Sequence, residues 1–109
     1  MKKLIMLTIL FASNAAYSVC GTPANTNETI TRVQNHHDGI IFVHFSAHRA
    51  CPCTNDERLA IRPSTPNAEF MKSMILAAYA SGAPVRASSQ NNSCPIHGNT
   101  AELTRLDLR

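Results

Sequence analysis

Two cysteines separated by a single proline, Cys51-Pro52-Cys53, stand at the middle of a chain of 109 residues, with Cys20 before them and Cys94 after them. This spacing limits what the chain can fold into. Four cysteines allow three pairings, and full pairing is the default for an even number in an oxidising compartment. A Cys51–Cys53 bridge would close a very small ring through a residue of fixed φ, which disulfide geometry resists. That leaves Cys20 and Cys94 each meeting one of the two central cysteines. Either arrangement ties the N-terminal part and the last loop to the middle of the chain, and each bridge contributes on the order of 2 to 4 kcal/mol.

The opening stretch MKKLIMLTILFASNAAYSVC places Lys2 and Lys3 before the apolar run Leu4 to Phe11, with small residues after it. That order predicts a secretory signal peptide over residues 1–18, with Ala16 and Ser18 at the small positions of the cleavage site. The apolar run falls well short of the roughly 20 residues that span a bilayer. A mature chain over residues 19–109 has length for one domain. At this size a single core is marginal without help, and disulfides supply it.

Charge narrows the function classes. The formal charge of +3 includes Lys2 and Lys3, so the mature chain is close to neutral. Its arginines are scattered, whereas a nucleic-acid partner calls for a clustered basic patch. Neither a nucleic-acid partner nor a membrane partner after signal cleavage is expected.

Along the chain, TITRVQN alternates as a half-buried strand. HHDG places Asp38-Gly39 between two strand-like runs, a hairpin signal. IIFVHF is apolar on both faces and predicts a central strand, and RLAIRPS a third, with Leu59 and Ile61 on one face. The period then changes. In TPNAEFMKSMILAAYASGAP, Thr65 can cap and Pro66 can open a helix that Gly82 ends and Pro84 stops. Phe70, Met71, Met74, Ile75, Ala78 and Tyr79 form its expected core stripe. PVRASSQ and TAELTRLDL read as fourth and fifth strands.

The order β-β-β-α-β-β predicts a mainly β fold with one helix, of α+β class. Its form is an OB-like five-stranded barrel over residues 19–109, stapled by Cys20, Cys51, Cys53 and Cys94. A small open sheet with the helix on one face is the competing architecture.

The segment FMKSMILAAYASGAPVRASS, residues 70–89, resembles the helix-to-strand region of the receptor-binding B subunits of subtilase-type AB5 toxins. The likeness covers about a fifth of the chain. It implies an OB-like barrel, binding of a glycan or a partner protein, and room for assembly into a homo-oligomeric ring. It transfers no binding residue, and the run of cysteines and histidines has no counterpart in it.

That run, HHDGIIFVHFSAHRACPC, is the chemical feature of the sequence. Imidazole and thiolate suit zinc and copper, so His36, His37, His44 and His48 are candidate ligands, with His97, Cys51 and Cys53 in reserve. Oxidised cysteines are lost as thiolates, and His36 and His37 point to opposite sides of a continuing strand. The plainer reading makes His36 and His37 turn residues, His44 a half-buried strand residue, and His48 and His97 loop residues. Cys-Pro-Cys is not the redox C-x-x-C motif. Ser46, His48 and Asp56 have the residue types of a triad, but a triad is recognised by geometry. NET at Asn27 and NNS at Asn91 fit a glycosylation pattern, yet the short Lys-Lys leader points to a bacterium and makes them turn residues.

No enzymatic motif is present and no cofactor is expected. The leading expectation is a secreted or periplasmic binding module for a partner protein or glycan, with Arg86, Ser88 and Gln90 as surface candidates. A small periplasmic zinc- or copper-binding protein using residues 36–53 is the alternative.

Overall fold

The computed structural model describes residues 20–21, 27–47, 53–54, 57–90 and 93–108. The expected signal peptide, together with His48, Cys51 and Asp56, lies outside these. The elements are β1 (Cys20–Gly21), β2 (Ile30–Asn35), β3 (Ile41–Phe45), β4 (Arg58–Ile61), α1 (Ala68–Ser81), β5 (Val85–Ser89), β6 (Ala101–Glu102) and β7 (Arg105–Leu108). The class is mainly β with one helix, as the sequence predicts. The strands form two sheets, in the orders β1-β5-β7 and β2-β3-β4-β6, and neither sheet closes on itself.

The hairpin forms where Asp38-Gly39 predicts it. Gly39 takes φ +87°, a conformation that side chains resist, and a Cβ there would lie 3.1 Å from Pro63 Cγ. The Asp38 Oδ1 accepts the Ile40 N–H at 3.1 Å, and the His36 N–H donates to the Ile40 carbonyl at 2.9 Å.

β3 pairs antiparallel with β2 and β4. Its two apolar faces have separate uses. Val43 and Phe45 enter the main core with Leu59, Ile61, Ile75, Val85 and Leu103, while Phe42 forms a second cluster with Ala60 and Ile96. A strand apolar on both sides is thus required, because a loop residue, Ile96, packs on the face opposite the helix.

The expected fifth strand is two strands. β6 pairs parallel with β4, and β7 pairs antiparallel with β5. Between them the Leu103 N–H donates to the Ala60 carbonyl at 2.8 Å and the Thr104 N–H to the Ser88 carbonyl at 3.0 Å. The chain therefore changes sheets at Leu103-Thr104, with Leu103 fully buried. A second junction joins Glu28 to Val85 by reciprocal backbone hydrogen bonds of 3.2 and 2.7 Å. Cys20 and Gly21 form a short strand against Ser88 and Ser89.

The helix starts later than Thr65 and Pro66 suggest. Asn67 occupies the N-cap at φ 61° without a side-chain cap bond. Thr65 is engaged elsewhere: its hydroxyl accepts the Arg62 N–H at 2.8 Å and donates to Glu102. The end is as expected, with Gly82 at φ 71° and its N–H on the Ala78 carbonyl. The buried stripe is Ala68, Met71, Ile75 and Ala78, with Met74 partly buried beside it. Phe70 and Tyr79, expected in the core, are 68% and 46% exposed. At 100° per residue they fall on opposite flanks of so narrow a stripe.

Cys53 and Cys94 form a disulfide with Cα atoms 5.6 Å apart, closing a separation of 41 residues. Among the described residues no helix is long and apolar enough to cross a membrane.

Candidate functional site

Alternation along β5 buries Val85, Ala87 and Ser89 and turns Arg86, Ser88 and Gln90 outward. Register then sets Arg86 opposite Asp107 and Ser88 opposite Arg105. These side chains line a shallow polar cleft of Arg86, Ala87, Ser88, Arg105 and Asp107, and a neighbouring hollow is lined by Ser88, Gln90, Thr104 and Arg105. The three surface candidates of the sequence are therefore brought together. Arg105, Asp107 and Thr104, which sequence reasoning missed, complete the surface. Only their register against β5 reveals them.

The hydrogen bonds divide the group into committed and uncommitted members. The Arg105 Nε lies 3.3 Å from Asp107 Oδ2. The Thr104 hydroxyl accepts the Gln90 N–H at 2.8 Å and donates to the Ser88 carbonyl at 3.3 Å. Among the described residues, the Arg86 guanidinium, the Ser88 hydroxyl and the Gln90 amide make no side-chain hydrogen bond or ion pair. Five N–H donors, one hydroxyl and one amide thus lie in a row along β5 and just past its end. Such a row can hold polar groups of a ligand. It lacks a nucleophile paired with a base.

The histidines gather differently from the sequence expectation. His44 sits on β3 with Nε2 2.9 Å from Gln34 Oε1, and its pKa is lowered by burial first, then by Arg58 and Arg32, against Glu57. His37 is exposed in the turn. His36 lies 4.6 Å from the Phe42 ring centroid, and its imidazole neighbour is His97, at 6.2 Å. His97 in turn lies 3.3 Å from Asp38 Oδ2. Asp38 is held below the usual carboxylate range by the Ile40 N–H first and, against an opposing burial effect, by His97. The pairing of His97 with the hairpin was invisible in sequence because 59 residues separate it from Asp38.

Among the described residues no group of three or more His, Cys, Asp or Glu side chains could hold a metal ion. Cys53 is committed to its disulfide. The Ser46 hydroxyl accepts the Thr29 N–H at 2.9 Å, and the His48 and Asp56 of the candidate triad lie outside the described residues.

No protein-family model matches the chain, and no curated protein or solved structure shows significant similarity to it.

Proposed function

We propose that the chain is a secreted or periplasmic, non-enzymatic binding module of OB-like architecture that takes a glycan on the outward face of β5 and β7. The observation that carries this reading is the row of uncommitted polar side chains Arg86, Ser88 and Gln90 along two adjoining hollows that share Ser88 and Arg105. A saccharide presents many hydroxyls, and a guanidinium, a hydroxyl and an amide at alternate strand positions suit hydrogen bonding to several of them. A partner protein contacting the same strands is the second occupant the test distinguishes.

The architecture is supported by the pairing sequence. Hydrogen bonds run from β2 to β3, β4 and β6, pass through Leu103-Thr104 to β7 and β5, and reach back to Glu28 just before β2. With a helix between the third and fourth long strands, this order agrees with a small Greek-key barrel. The likeness of residues 70–89 to AB5 toxin B subunits points toward binding as well. The Cys53–Cys94 disulfide implies a non-reducing compartment, and the leader-like N-terminus accounts for delivery to one.

The test is a glycan array probed with the oxidised mature protein, followed by Arg86→Ala. Saturable binding that Arg86→Ala abolishes without moving the melting temperature supports the reading. Retained glycan binding in that variant would move the site elsewhere. An array without binders, with capture of a protein that Arg86→Ala abolishes, would replace the glycan by a protein partner.

A further inference from the structure

The outer face of the β2-β3-β4 sheet carries a second polar feature, built around Phe42. Phe42 is fully buried, and three nitrogen-bearing groups surround its ring. The Arg58 guanidinium carbon lies 4.3 Å from the ring centroid, the His36 ring 4.6 Å and the His97 ring 5.5 Å. All three are within the range at which a cation is attracted by an aromatic ring. Each comes from a different part of the chain: the β2–β3 turn, the start of β4 and the loop after Cys94. The disulfide, the Ile96 anchor and Arg58 fix that loop, with Arg58 Nε donating to Thr100 Oγ1 at 2.8 Å and a terminal nitrogen to Asn99 Oδ1 at 3.0 Å.

We propose that His36 and His97, backed by Arg58, form a binding site for a tetrahedral oxyanion, a sulfate or phosphate group free or as an ester. The geometry fits one such group. With N–H···O bonds of about 2.8 Å at either end, the edge of a single tetrahedral anion bridges two rings whose centroids are 6.2 Å apart. Access is available, since the His97 side chain is 45% exposed. The His36 ring makes no hydrogen bond among the described residues, so its nitrogens remain for a ligand.

Charge favours the same ligand. The Arg58 guanidinium stands over the ring that both imidazoles touch, and Asp38, 3.3 Å from His97, is a carboxylate that an arriving anion must displace.

The probe is sodium sulfate, titrated into the oxidised mature protein at fixed ionic strength while the imidazole signals are followed by NMR. Saturable shifts of His36 and His97 are expected. His36→Gln and His97→Asn should each abolish them. Asparagine suits position 97, where φ is 54°, because it tolerates that conformation. Asp38→Asn keeps the acceptor for the Ile40 N–H and removes the opposing charge, so it should tighten binding. A monosaccharide 6-sulfate in a parallel arm assigns the site to an ester if it binds tighter than sulfate, and to the free anion if it does not. No saturable shift, or binding that survives both histidine substitutions, would overturn the proposal.

Discussion

The Thr65 hydroxyl donates to the Glu102 carboxylate at 2.5 Å across 37 residues of chain, so the residue the helix lacks as its cap fastens β6 to the turn after β4. Arg62 completes the arrangement at 3.1 Å from the other carboxylate oxygen. Thr65 is buried, and a hydrogen bond to a charged group is worth about 1.5 to 3 kcal/mol. Thr65→Val keeps the volume and removes the hydroxyl. It should cost about 2 kcal/mol in urea unfolding, and a loss under about 0.5 kcal/mol, the size of an ordinary surface substitution, would contradict the role.

The same carboxylate sets an acid limit. Burial alone would raise the Glu102 pKa, but the Thr65 hydroxyl and the Arg62 guanidinium outweigh it, and the net direction is downward from 4.5. A depressed carboxylate contributes stability that is fully present above the unfolded value and is lost as pH falls through the folded one. The melting temperature should therefore decline below about pH 4.5, and the decline should be shallower in Glu102→Gln. An identical acid slope in the two proteins would exclude Glu102 as its source.

His44 acts in a higher window. Its folded pKa lies below 6.5, through burial first and the Arg58 and Arg32 charges second. The unfolded chain takes up this proton near its ordinary value while the folded chain resists it, so stability falls as pH drops below about 6.5. His44→Gln carries no titrating group. Comparison of wild type and variant between pH 7 and 5 should show a flatter profile for the variant, and NMR titration should place the wild-type His44 midpoint below 6.5. A midpoint above that value would reverse the sign.

The helix shows what was legible in the sequence and what was not. Its existence, its Gly82 end and the Asp38-Gly39 hairpin were readable because local geometry dictates them. The start was not, because Thr65 serves a distant carboxylate. The phase was blurred because Phe70 and Tyr79 extend an apolar pattern that the sheet covers only along Met71, Ile75 and Ala78. The split of the last strand was hidden for a similar reason: both halves are extended, and only partner choice separates them. The cleft candidates Arg86, Ser88 and Gln90 followed from strand alternation, whereas Arg105 and Asp107 needed the register. Ile75→Ala should accordingly cost about 3 kcal/mol by loss of buried methylenes, while Phe70→Ala should stay within about 0.5 kcal/mol. Equal losses in chemical denaturation would place the stripe wrongly.

The Cys53–Cys94 bridge closes 41 residues of separation, and chain-entropy reasoning assigns a loop of that length about 4 kcal/mol. It also anchors the start of the loop that carries Ile96 and His97. Cys53→Ala with Cys94→Ala should lower stability by about 2 to 4 kcal/mol and should weaken the contact between His97 and Asp38. With this bond formed, full oxidation leaves Cys20 and Cys51 as the remaining pair, which peptide mapping of the unreduced wild-type protein can identify. A mapped Cys20–Cys53 linkage would overturn the connectivity. A double variant as stable as wild type would show instead that Ile96 and Arg58 hold the loop without the bridge.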